Sequence, residues 1–366
     1  MQTPKLQALP LKNKRHLLTI LGFALSGIAL YFVFHGDFDI DTLFKHIERI
    51  KVVPLVLSVV FYWGGVAVIR SFLIRHLLRS VGEVRPKIAY RYICIGFLAN
   101  NILPLRMGEA VRIGGIATRS GISIVSTAGS LLLERILDLT MTALIGFLAI
   151  QLAPIPEHLR RIVFIAGAVL FAVLIVLAAI ARRGLKETNA ETHNPVIQFI
   201  WNLIARFSAG FGGLDGPKNL IITFVLIALV WSVAVGTVVL RLMAFDLQPS
   251  LPMALVLMAG ISLAIAVPSA PSGLGVYHWL AAQALIIMGL DEPLALSFAF
   301  FTHFVDYFSS SSLGVVCMVL EGIGLSDLRK PQARLAPSYS QQEYEDNASK
   351  FVRLGKGEQA ISDTRP

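Results

Sequence analysis

Long apolar runs alternate with short polar ones along this chain. Leu17 to Phe34 is the first; as a helix it reaches about 27 Å, enough for a tilted or slightly short membrane crossing. Val52–Ile74, Ile122–Leu152, Ile162–Ala181, Leu220–Met243 and Leu294–Leu320 predict further spans. Between the first two lies IDTLFKHIERI, with Ile40, Leu43, Phe44, Ile47 and Ile50 on one face, the pattern of a helix lying in the interface. The polar loop Arg182–Lys218 carries a second amphipathic stretch, VIQFIWNLIARF. The basic start KNKRH leads into an apolar run with no small-x-small cleavage site behind it, so an uncleaved signal-anchor is expected. The tail, with SYSQQEYEDNASK, has the composition of a disordered segment.

Two stretches break the pattern. NILPLRMGEAVR, from Asn101 to Arg112, interrupts an apolar run with a proline, a glycine, two arginines and a glutamate. VPSAPSGLGVYH, from Val267 to His278, interrupts another with prolines and glycines and no fixed charge. Proline removes a helix donor and glycine permits unusual turns. Non-helical backbone survives at membrane depth only where protein buries it or water reaches it. Leu103 to Glu109 is therefore expected to line a cavity. The residues that would form the tips are Asn101, Pro104 and Gly108 in the first stretch, and Pro271, Gly273, Gly275 and His278 in the second.

Composition agrees with the pattern: 55% of the 366 residues are hydrophobic and only 15% charged, with mean hydropathy +0.70. That is a polytopic α-helical membrane protein. The net charge of +9 is a topology signal rather than a nucleic-acid patch, because the acidic and basic residues of the tail balance. If both broken stretches enter and leave on one side, the great majority of the 32 Lys and Arg residues fall on the cytoplasmic side. Both termini are then cytoplasmic in a multi-pass inner-membrane protein. Two cysteines, Cys94 and Cys317, lie inside apolar segments and give no disulfide framework or metal site; no cofactor is expected.

The halves align with each other. Trp63 falls on Trp231, Pro104-x-x-x-Gly108 on Pro271-x-x-x-Gly275, Arg135-x-x-Asp138 on His303-x-x-Asp306 and Gly146 on Gly314. Each half then holds three spanning helices and one re-entrant broken helix. An odd number of crossings inverts the second half, an arrangement found in transporters. The expected division is a cytoplasmic N-terminus over 1–16, membrane repeats over 17–152 and 153–320, and a cytoplasmic tail over 321–366.

Charges inside spans mark candidate chemistry. Glu134 and Asp138 are four apart, on one helix face, and Arg135 can pair with Asp138. Each charge near the bilayer centre costs about 3 kcal/mol, so the group lines a polar cavity or forms an internal salt-bridge lock. His303 and Asp306 are the matching pair, and His303 could change charge near neutral pH. A short helix from Glu109, its N-terminal amides joined by Arg106 and Arg112, would favour a phosphate. FSSSSLG, Phe308 to Gly314, reads as close helix packing first and substrate lining second.

NNILPLRMGEAVR, SLLLERILD and PSAPSGLGVYH together resemble the flippase-like membrane domain of lysylphosphatidylglycerol synthases, from about Leu17 to Leu320. The resemblance implies a protein that moves a polar-headgroup lipid between leaflets. It carries over Pro104, Arg106, Gly108, Glu109 and Arg112, then Glu134, Arg135 and Asp138, then Pro271, Gly273 and Gly275. One departure stands out: many relatives have an acidic residue just after the second glycine stretch, where this chain has Tyr277 and His278. Only a short polar tail follows Leu320, so the soluble aminoacyl-transferring domain is expected to be missing. The expected function is a lipid translocase, not an enzyme, with a membrane lipid as its partner and a lipid-modifying enzyme as a second one. Two alternatives stay open. One is a membrane-embedded lipid-modifying enzyme using Glu134, Asp138 and His303 as acid and base. The other is a non-transporting partner of such an enzyme.

Overall fold

The computed structural model describes residues 11–35, 40–103, 107–154, 210–211, 216–266 and 270–329, with isolated positions at 157, 160–161, 164–165, 167–168 and 214. Among these the chain is helical throughout, without strands. α1 (Leu11–His35) precedes the short α2 (Ile40–Glu48). α3 (Val52–Phe61) and α4 (Ala67–Leu78) form one rod joined by a π-helical turn, Tyr62–Val66. There follow α5 (Pro86–Ile102), α6 (Gly108–Ser120) and α7 (Ile124–Leu152). The later part holds α8 (Gly216–Ala244), α9 (Leu251–Ala266), α10 (Val276–Ile287) and α11 (Glu292–Glu321). The expected span Ile162–Ala181 apart from the isolated positions 164–165 and 167–168, the loop Arg182–Lys218 up to residue 209, and the tail from residue 330 lie outside the described residues.

Among the described residues three helices are long and apolar enough to cross a membrane: Val52–Leu78, Gly216–Ala244 and Glu292–Glu321. A fourth is counted if α1 and α2 make one bent span. α7 has the length, at 29 residues, but carries its three charges mid-helix. α2 leaves Ile40 and Phe44 exposed, as an interfacial helix would.

Each broken stretch joins two helices. α5 and α6 run antiparallel: Asn100 faces Gly108, Gly96 faces Arg112 and Tyr92 faces Gly115. α9 and α10 form the second hairpin, with Gly260 against Leu280 and Ala284. Neither α5 nor α6 alone matches a ~30 Å hydrocarbon core; 17 and 13 residues give about 25 and 20 Å. α7 packs on α9, and α11 packs on α5. The α3–α4 rod lies along α8. The pair is antiparallel, since Lys51 N donates to Ala244 O at one end (2.8 Å) and His76 Nε2 meets Asn219 O at the other (3.2 Å).

Close packing follows from small residues. Gly314 of α11 sits against Leu98 and the Cys94 carbonyl of α5, with no room for a Cβ, so the FSSSSLG helix does pack closely. Glu321, at the end of α11, accepts from Arg91 (2.8 Å) and Arg119 (2.6 Å). One buried carboxylate thereby ties together the open ends of α5 and α6.

Candidate functional site

Two polar centres lie inside this apolar bundle. The first joins α4, α6 and α7. Arg70 Nη1 donates to Glu134 Oε1 (2.6 Å) and Asp138 Oδ2 (2.8 Å), and Nη2 donates to Asp138 Oδ1 (3.0 Å). Arg112 donates to the other oxygen of Glu134 and stands 3.6 Å from Glu109. Arg135 donates to Glu109 and reaches Asp138 at 3.4 Å. Trp231 of α8 closes the ring, donating Nε1–H to Asp138 at 3.1 Å.

Three guanidiniums thus face three carboxylates with no net charge. Glu134 is completely buried, a placement tolerable only because two arginines hold it. The i, i+4 spacing puts Glu134 and Asp138 on the α7 face turned toward α4. Every charge is met within the protein, which is the arrangement of an internal lock. Arg135 and Glu109, at 41% and 33% side-chain exposure, form its accessible edge.

The second centre is a cavity of about 230 Å3. Asn100, Asn101 and Leu103 line it from the end of α5, and Ala270, Pro271, Ser272 and Gly273 from the second broken stretch. Tyr62 and Trp63 enter from the π-helical turn, a distortion often found at functional positions. Asn101 is anchored to α11, donating to Ser310 Oγ (2.8 Å) and Ser311 Oγ (3.0 Å). Ser310 also lines the cavity, so the serine-rich helix both packs closely on α5 and forms part of the cavity wall.

Arg241 of α8 forks onto Asp306 of α11, with Nη1 donating to Oδ2 at 2.8 Å and Nη2 to Oδ1. Both residues line the cavity. Arg241 Nε has no hydrogen-bond partner among the described residues. Beside this pair, His303 stacks on Tyr277 with ring centroids 4.4 Å apart. One proton assignment satisfies the whole histidine chain. His303 Nε2–H donates to Ser272 O (3.0 Å), His278 Nε2–H to His303 Nδ1 (2.9 Å), and Gly275 N–H to His278 Nδ1 (3.3 Å). Both rings are neutral in that arrangement. Ser272 holds a left-handed backbone (φ 61°), strained for a non-glycine residue.

Of the residues singled out in the sequence, Glu109, Arg112, Glu134, Arg135 and Asp138 meet in the first centre. Asn101, Pro271, Gly273, His303 and Asp306 line the cavity, with His278 behind His303. Gly108 and Gly275 sit at the starts of α6 and α10, packed against neighbouring backbone. Pro104 and Arg106 lie outside the described residues. Two arginines were missed. Arg70, which its place near the end of a span would allow to snorkel, is held by two buried carboxylates. Arg241 stands near the end of the expected span Leu220–Met243 and is held by Asp306. The signal was present: the aligned Asp138 and Asp306 each require a cation, and each half carries an arginine late in its second span.

The chain matches the family described as the lysylphosphatidylglycerol synthase TM region over residues 19–314. No curated protein and no solved structure matches it. The matched segment takes in both polar centres and both helical hairpins. This multi-pass helical membrane protein belongs to the lysylphosphatidylglycerol synthase membrane-region family.

Proposed function

We propose that the chain is a lipid translocase of the bacterial inner membrane, moving a lipid with a phosphate-bearing headgroup between leaflets. The observation that carries this reading is the central cavity. It joins the ends of both broken stretches and holds a guanidinium, Arg241, with one N–H unpaired among the described residues. A guanidinium fork binds phosphate as it binds carboxylate. A phosphate entering the cavity would compete with Asp306 for Arg241. In the same reading Arg135 and Glu109, at the accessible edge of the first centre, meet the headgroup as it passes, with Arg112 of α6 behind them; Arg106 is proposed to join them from its place in the sequence alone.

The exchange of long helices, α7 on α9 and α11 on α5, supports two inverted repeats with a re-entrant hairpin in each. So does the matching of Arg70–Asp138 by Arg241–Asp306. The charge bias supports cytoplasmic termini. The chain then acts as a transporter rather than as an enzyme, with the lipid as its partner.

The test is reconstitution in liposomes with headgroup-labelled anionic and zwitterionic lipids. Arg241→Gln removes hydrogen bonds to a charged group worth about 1.5–3 kcal/mol each. A loss of about tenfold or more in the rate of headgroup movement is expected, with the variant still eluting as a monodisperse species. An undiminished rate in folded Arg241→Gln refutes the cavity as the route. No movement of any lipid by the wild type refutes translocation itself.

A further inference from the structure

A second, larger cavity of about 690 Å3 lies where the end of α4 meets the start of α8. Arg75, His76, Arg79 and Glu83 form its polar side, and Phe72 and Leu226 its apolar side. Because α4 and α8 are antiparallel and both belong to membrane-length helices, this cavity stands at the end of two spans, at headgroup depth. Asn219 holds the two helices together there, its carbonyl meeting His76 Nε2 and its side chain accepting from Arg79.

The charges set this cavity apart from the polar centres. Arg70, Arg112, Arg135 and Arg241 each meet a carboxylate. No carboxylate of the described residues stands within ion-pairing distance of Arg75 or Arg79, both exposed. The formal charges of Arg75, Arg79 and Glu83, the described rim residues with fixed charge, sum to one positive charge. Below them Phe72, 45% exposed, and Leu226 continue the apolar surface of the spans. A basic rim over an apolar wall, at the end of a helix pair, fits a phosphate with acyl chains attached.

We infer that this cavity is a fixed binding site for an anionic phospholipid. Arg75 and Arg79 hold the phosphodiester, and the chains lie along Phe72 and Leu226. A phosphodiester carries one negative charge and matches the single positive charge of the rim; free inorganic phosphate carries more charge and has nothing for the apolar wall. The site is separate from the translocation route and does not depend on it.

The experiment uses the full chain, delipidated in a neutral detergent, with bound lipid counted by native mass spectrometry. Phosphatidylglycerol, phosphatidylcholine and inorganic phosphate are titrated in turn. The wild type is expected to retain one phosphatidylglycerol more than Arg75→Gln/Arg79→Gln, and the double variant to need about tenfold more lipid for the same occupancy. Phosphatidylcholine should bind both proteins equally, and inorganic phosphate should leave the lipid in place. Equal phosphatidylglycerol binding by both proteins overturns the site. Phosphatidylcholine filling it as well overturns the anionic assignment, and displacement by inorganic phosphate overturns the lipid. Each single variant is measured beside the double one, with its melting temperature, so that lost binding is separated from lost fold. Asp306→Asn, in the central cavity, should retain the extra lipid.

Discussion

Arg70→Ala is expected to lower the unfolding free energy by about 3–5 kcal/mol, the cost of leaving buried carboxylates without their cation. Arg70 is the one residue of the first centre that reaches both Glu134 and Asp138 from another helix. Glu134 keeps Arg112, but Asp138 is left with Trp231 and a distant Arg135. The damage should therefore concentrate on Asp138. The double substitution Arg70→Leu with Asp138→Asn removes both charges and keeps an acceptor for the Trp231 N–H. It should recover most of the loss, since replacing a buried ion pair is far milder than breaking one. Denaturant unfolding in detergent measures both. An Arg70→Ala loss within the ~0.5 kcal/mol typical of surface substitutions, or a double variant no better than the single, removes the lock from this structure.

The reason Arg70 escaped the sequence reading is physical. Its partners are 64 and 68 residues away, and nothing local distinguishes an arginine that snorkels from one that turns inward. Arg241 and Asp306 are likewise 65 residues apart. The pairs within one helix, such as Arg135 with Asp138, were legible because the 3.6-residue period fixes which side chains share a face. Helix ends were legible for a similar reason. Val52–Ile74 became Val52–Leu78, and Ile122–Leu152 became Ile124–Leu152, because a long apolar run and the helix it forms share nearly the same ends.

The broken stretches were legible as interruptions, since proline and polar residues stand out against an apolar background. The internal alignment pairs Pro104 with Pro271 and Gly108 with Gly275 in sequence only; that Leu103 and Pro271 line one cavity is seen in the fold alone. The π-helical turn was not legible. YWGGV is apolar and in phase with its neighbours, and only tertiary contact, such as Gly65 against Val233, reveals why the rod loosens there. The neutral histidine chain was also hidden. His278 and His303 are 25 residues apart, and the loop carbonyl of Ser272 that fixes their protons carries no sequence signature.

Gly108→Ala and Gly275→Ala are each expected to cost about 1–3 kcal/mol, by different routes. The two glycines correspond in the internal alignment, yet their surroundings differ. Gly108 opens α6, and a Cβ there would fall on the Gly96 carbonyl and on Asn100 Oδ1, the acceptor of its own N–H at 2.8 Å. The methyl group must force α6 away from α5, breaking the contact that closes the first hairpin. Gly275 has φ +84°, a conformation that L residues rarely adopt, and its missing Cβ faces the Ser26 carbonyl and Leu30 of α1. Alanine there adds backbone strain to a clash with a separate helix. Gly236 of α8 is the control, because nothing lies within 4 Å of a Cβ at that position. Gly236→Ala should be neutral or slightly stabilising, through the ~1 kcal/mol helix preference of alanine. Unfolding in detergent ranks the three, with Gly236→Ala above wild type or level with it and the other two below. Labelling of the buried Cys94 by a thiol reagent then separates the two routes. Gly108→Ala should speed it by loosening α5, and Gly275→Ala, acting on α1 and α10, should leave it unchanged. Equal labelling in both would mean that the two hairpins loosen together, and that their separate contacts with α5 and α1 do not hold them apart.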